Sequence, residues 1–204
     1  MTFFERNNLR QQVEILRRFT TEIINDKDFE RYDPYDHTEE IEDAIKTLFF
    51  SYWGITSMAL WFGCPELVIM EKIISMGLYS HYEKFAQQHR DKYYKEFYSE
   101  PYEESFLPCN QHEKDIDALR RATCMYPSDH FVWTDDKRHL VFWLFKMGEG
   151  VTDIAILLGL PEQMIVQKFI DDGLYFSWDT PWFAYSDQEI RDRFINNCMG
   201  TGLL

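Results

Sequence analysis

The sequence predicts an all-α protein. Three observations carry this: apolar residues recur at helical steps, no convincing alternating strand pattern appears, and one helical pattern occurs twice, 96 residues apart and without gaps. Gly54, Thr56, Ala59, Gly63, Pro65 and Glu66 fall on Gly150, Thr152, Ala155, Gly159, Pro161 and Glu162. The register continues through Lys72 on Lys168 and Gly77-Leu78-Tyr79 on Gly173-Leu174-Tyr175. Upstream, Thr38-Glu39-Glu40 meets Thr134-Asp135-Asp136 and Leu48-Phe49 meets Leu144-Phe145. A weaker echo, Leu16-Arg17-Arg18 against Leu119-Arg120-Arg121, needs an offset of 103.

In chain order, Thr2-x-x-Glu5 opens an amphipathic helix reaching about Asn25. Thr38 then caps a helix with acids in its first turn and Ile41, Ile45, Leu48 and Tyr52 inward; Thr134 caps its counterpart, with Val141, Leu144 and Phe145 inside. Gly54 and Gly150 are expected to stop these helices by adopting positive φ. A short second helix buries Met58, Ala59 and Phe62, or Ile154, Ala155 and Leu158, and turns at Gly63 or Gly159. Pro65 and Pro161 fit the first position of a third helix, which passes Lys72 or Lys168 and ends before Gly77 or Gly173. Segments 81–98 and 111–124 also read as helices, and Ser186-x-x-Glu189 opens one near the carboxyl end. The predicted units are 1–100 and 101–204, with matching cores at 38–79 and 134–175, joined through the proline-bearing acidic stretch 99–108.

Composition supports a folded chain and narrows its partners. Over 204 residues, 45% are hydrophobic and 17% aromatic, enough to fill a core. The net charge of −14 divides into −6 over residues 1–100 and −8 over 101–204, so neither half attracts phosphates generally. Cys64, Cys109, Cys124 and Cys198 form no C-x-x-C, which argues against a zinc pair or a disulfide framework. With a polar start and no run of about 18 apolar residues, the expectation is a cytoplasmic protein with no membrane contact. Size and acidity would also suit a virus-encoded modulator of host nucleic-acid machinery.

The run Trp133-Thr134-Asp135-Asp136, with Leu140, Leu144, Gly150, Ile154-Ala155, Leu158-Gly159, Ile165, Lys168 and Gly173-Leu174, resembles the trihelical domain of GcrA-type bacterial cell-cycle regulators. More broadly it is similar to Myb/SANT-like helix-turn-helix modules, clearest over 133–174 and fainter over 38–79. The resemblance implies a third helix that enters the major groove. Here, however, that helix carries Glu162, Gln163, Gln167, Asp171 and Asp172 with Lys168 as its one cation, or Glu66, Met70, Glu71 and Ser75 with Lys72. The usual guanine readers are missing, and some SANT-like relatives bind proteins instead.

No catalytic signature stands out. The six histidines form no H-E-x-x-H, Gly148-Glu149-Gly150 is a fragment of a phosphate loop at a helix end, and there is no G-x-S-x-G. No catalytic residue, metal ligand or cofactor is therefore assigned. The group from Asp33 to Glu40 reads as a helix cap and a solvated loop rather than a cation site. The aromatic stretch Tyr175–Tyr185 reads as core, and Arg90–Lys95 as a solvated helix face with Tyr93 and Phe97 inward.

What remains is an acidic surface. Asp33, Asp36, Glu39, Glu40, Glu42 and Asp43, with Glu66, Glu71, Glu162 and Asp171 on the third helices, are the candidate contacts to a protein partner with a basic face, in imitation of a phosphate track. The alternative is a transcriptional regulator that binds DNA through Lys72, Lys168, Arg120, Arg121, Lys137 and Arg138. A structural component forming a homo-oligomer is the third class.

Overall fold

Residues 8–18, 39–97, 111–125 and 131–174 are described by the computed structural model, and among them the chain is all helix, without a strand. Helix α1 covers 8–18, followed by α2 (Glu39–Phe50), α3 (Ile55–Phe62), α4 (Glu66–Ser75) and α5 (Tyr82–Phe97). Then come α6 (Gln111–Met125), α7 (Asp135–Lys146), α8 (Val151–Leu158) and α9 (Glu162–Asp171). The expected helices at 81–98 and 111–124 are present as α5 and α6. Thr2, Thr38, the stretch 99–108, the aromatic run 175–185 and Ser186 lie outside the described residues.

Helices α2, α3 and α4 have 12, 8 and 10 residues, and α7, α8 and α9 have the same lengths in the same order. The caps correspond as well. Thr134 accepts a bond from the Lys137 amide at the start of α7, as its position before two aspartates predicts. Gly63 and Gly159 close α3 and α8 in the left-handed region at φ 66° and 65°, where only glycine is unstrained. Pro65 and Pro161 sit one residue earlier than expected, as the residues that flank α4 and α9 rather than their first turns.

One expectation about these turns is corrected. Gly54 and Gly150 do not end the preceding helices; they are the extended N-caps of α3 and α8, at φ −72° and −75°. The positive φ falls two residues earlier, on Tyr52 (68°) and Gly148 (79°). A different constraint selects glycine at 54 and 150. A Cβ on Gly54 would lie 2.5 Å from the Thr152 side chain, and one on Gly150 would collide with Thr56. The starts of α3 and α8 meet face to face, and a side chain at either glycine would separate them.

The core is continuous across both halves: Ile45, Phe49, Ile55, Met58, Ile69 and Ile73 belong to one buried cluster with Phe145, Val151, Ile154, Ile165 and Phe169. Helix α5 packs along α2, and Arg90, expected on a solvated face, is instead buried. Its guanidinium lies 4.1 Å from the Tyr52 ring and its Nε donates to the Phe50 carbonyl. It also reaches Asp117 of α6, which accepts the Tyr82 hydroxyl and pairs with Arg121.

Beside it, the His89 ring stacks on Phe50 with centroids 5.2 Å apart, and its Nδ1 lies 3.3 Å from Thr47 Oγ1. Burial lowers the His89 pKa below its ordinary 6.5, outweighing the upward pull of Asp43, with Lys92 and Lys46 adding to the depression. The folded state thus favours neutral imidazole, and below pH 6.5 the unfolded chain binds the extra proton more readily. His89 contributes its stability in full above about pH 7 and loses it as the pH falls through 6.5. The midpoint of thermal unfolding is therefore expected to drop between pH 7 and 5 by more in the native chain than in His89→Gln; equal slopes would show that His89 is not the titrating group.

Candidate functional site

The junction between the halves is polar, although it is buried. Glu66 and Glu162 begin α4 and α9, where a carboxylate usually faces water and the helix dipole, yet each is only 1% exposed. One oxygen of Glu66, Oε2, pairs with Arg17 at 3.2 Å. The other, Oε1, accepts the Thr56 hydroxyl at 2.6 Å and the Val151 amide at 2.8 Å. Glu162 does the same with Arg120 at 3.2 Å, the Thr152 hydroxyl at 2.7 Å and the Ile55 amide at 2.9 Å. Each glutamate therefore caps a helix of the other half, satisfying a first-turn amide that has no partner within its own helix.

The arginines complete the exchange. Arg17 donates to the carbonyls of Phe145 and Glu149, and Arg120 to those of Phe49 and Trp53, so the carboxyl-terminal ends of α7 and α2 are closed by guanidinium groups. Arg17 lies over the Phe145 ring at 4.1 Å and Arg120 over Phe49 at 3.9 Å. At the centre the Thr56 amide donates to Thr152 Oγ1 and the Thr152 amide to Thr56 Oγ1, both at 3.2 Å. The interactions are reciprocal, residue for residue, as in an isologous dimer interface. The Glu162 carboxylate also reinforces burial in pushing the nearby Tyr79 phenol well above its ordinary pKa, against the pull of Arg120.

This placement corrects several site expectations. Glu66 and Glu162 lie inside the junction and offer nothing to a partner's surface. Arg120 is fully buried, and Lys72 and Lys168 are 7% and 6% exposed, so the three central cations of the DNA-binding alternative are turned inward. Lys168 bonds Asp172 and lies 5.5 Å from the Trp133 ring. Arg121 is exposed but pairs with Asp117 and Glu83, Arg138 with Asp135, and Lys137 rests over Phe131. The faces of α4 and α9 that turn to solvent carry Glu71, Ile74 and Ser75, and Gln167 and Asp171.

Of the acidic candidates, Glu39, Glu40, Glu71 and Asp171 are exposed, and Glu42 and Asp43 are half-buried beside Lys46 and Lys92. Asp33 and Asp36 lie outside the described residues. Five Lys and Arg side chains are buried among the described residues, namely Arg17, Lys72, Arg90, Arg120 and Lys168, against two carboxylates, Glu66 and Glu162. Among the described residues, the solvent-facing charge is accordingly more acidic than their composition alone implies.

Sequence reasoning missed Arg17 and the junction itself. The signal was present in the offset-103 match, which aligns Arg17 with Arg120. No cluster of His, Cys, Asp and Glu among the described residues could hold a metal ion, and none of their helices is long and apolar enough to cross a membrane. Comparison with family models, with curated proteins and with solved structures finds no match.

Proposed function

We propose that the chain is a non-enzymatic regulatory protein that binds a protein partner with a basic surface. The observation that carries this reading is the internal placement of cations: Arg17 and Arg120 close helix ends and neutralise buried carboxylates, Lys72 and Lys168 are buried, and the outward faces of α4 and α9 are left acidic or uncharged. Such a surface repels a phosphate backbone, gains nothing from counterion release, and steers basic polypeptides toward it. Resemblance to Myb/SANT-like modules supports a regulatory role, and the inward turn of Lys72 and Lys168 supports a polypeptide target over a duplex.

The test is a pair of anisotropy titrations at low salt, about 50 mM, where electrostatic binding is strongest. A labelled arginine-rich polypeptide is expected to bind and to be released as salt rises, while duplex DNA is expected to show no saturable binding. Tight, sequence-dependent duplex binding that Lys137→Glu with Arg138→Glu abolishes would establish the DNA-binding regulator instead.

A further inference from the structure

What the first half takes from the second at the junction, it also owns. It caps the Val151 amide, exchanges bonds with Thr152, and sends Arg17 to the carbonyls of Phe145 and Glu149. At the offset of 96 stand Ile55, Thr56, Phe49 and Trp53, and the second half uses these four in the same ways. The backbone follows suit. Tyr52 adopts at φ 68° the left-handed conformation that Gly148 adopts at 79°, although it is unfavourable for a tyrosine. Where α3 packs on α8, Ile55 and Met58 occupy the positions of Val151 and Ile154, apolar residues of similar volume.

The flanking helices repeat the match. Asp117 of α6 accepts from Tyr82 and Arg90 of the first half and pairs with Arg121. On α1 the offset of 103 puts Glu14 at that position, and Glu14 pairs with Arg18 as Asp117 does with Arg121. Helix α1 is seated against the second half through Arg17, yet it carries the groups by which α6 holds the first.

We propose that the first half is self-complementary: its face of Gly54, Thr56, Glu66 and Arg17 is a docking surface for the same face of a second copy of this chain. In that pair Glu66 caps the Ile55 amide of the other copy, Thr56 meets Thr56 across a two-fold axis, and Arg17 closes the carbonyls of Phe49 and Trp53. Glu14 takes the place of Asp117 beside Tyr82 and Arg90. The loss is the partly exposed Arg10–Glu149 pair, because the first half has Trp53 in place of Glu149. The inference is independent of the basic-partner reading.

Tethering decides which pair forms. The second half is attached to the first and competes for its face at an effective concentration on the order of 1 mM, so the native chain is expected to be a monomer at lower concentrations. The first halves pair where the face of the second is withheld.

Sedimentation velocity on the full chain at about 50 µM tests this with variants that spoil the second half alone. A Cβ at position 150 lies 2.3 Å from Thr56 Oγ1, so Gly150→Val forces the native junction apart. Pairing of a first half with the second half of another copy meets the same obstacle, so a dimer of this variant identifies the pair of first halves. Gly150→Val is expected to sediment at twice the native mass and to dissociate on dilution. Gly150→Ala, the milder lesion, is expected to remain folded by circular dichroism and to populate the same dimer in smaller amount, since about 50 µM is only some twentyfold below the tethered competitor. Adding Gly54→Val to either variant is expected to return it to monomer, because residue 54 faces Thr56 of the other copy. If both position-150 variants remain monomeric at about 200 µM, the faces do not match and the proposal is overturned. A dimer that survives Gly54→Val uses another surface and overturns it equally.

Discussion

Glu162→Ala is expected to lower the unfolding free energy by about 3–5 kcal/mol, because it leaves the fully buried Arg120 guanidinium without its counter-charge. Several further losses fall on the same substitution. The Ile55 amide and the Thr152 hydroxyl lose their acceptor, and α3 loses its only contact from the second half to a first-turn amide other than the Thr56–Thr152 pair. For a domain stabilised by about 5–15 kcal/mol this is a large fraction of the whole. Glu66→Ala is expected to match it, since Arg17, Val151 and Thr56 stand in the same relation to Glu66. Glu162→Gln should fall between, keeping an acceptor oxygen but turning an amide toward the guanidinium. Urea titration of the three variants reads these differences; a change below about 1 kcal/mol in Glu162→Ala would mean that the pair is solvated and the junction loose.

Gly54→Ala is expected to destabilise by about 1–3 kcal/mol, the range for forcing a methyl group into a well-packed interior. The sign is informative. At φ −72° alanine can adopt the backbone without strain, and a Gly→Ala change at a compatible, uncrowded site stabilises by about 0.4–1 kcal/mol through the unfolded chain. Only the approach of Thr152 across the junction makes the outcome unfavourable. Thermal unfolding of Gly54→Ala and Gly150→Ala reads both sides of the contact, and stabilisation of either would show that α3 and α8 stand farther apart.

Both substitutions act on a feature that the sequence shows only obliquely. The helices themselves are legible because periodicity, a capping threonine and paired glycines all bear on local backbone. Thr134, Gly63 and Gly159 do what their positions predict. A glutamate at the start of a helix reads the same whether it faces water or an arginine from elsewhere, since both settings favour a negative charge there. Glu66 and Glu162 therefore pass as surface residues until Arg17 and Arg120 are seen beside them. The same holds for glycine: at 54 and 150 its use is close approach between chain segments far apart in sequence, whereas a local reading favours positive φ. Arg90 illustrates the converse, a charged residue in a polar stretch whose partners come from two distant parts of the chain, Phe50 and Tyr52 at the end of α2 and Asp117 in α6.

The surface follows from the junction. Lys72, Arg120 and Lys168 are drawn inward, and the faces of α4 and α9 that turn to solvent keep only acidic or uncharged side chains. The burial of Arg17 and Arg120 is thus linked to how the halves are held together.

That linkage rests on two backbone amides. Amide hydrogen exchange at Ile55 and Val151, each in the first turn of its helix, separates the possibilities most directly. Amides at such positions ordinarily exchange fast because their helix supplies no acceptor. Capped by Glu162 and Glu66, both are expected to exchange as slowly as the core amides of α2 and α7, and to become fast together in Glu162→Ala. Rapid exchange at both positions in the native chain would mean that the halves do not cap one another, and the assignment of the buried charges would have to be abandoned.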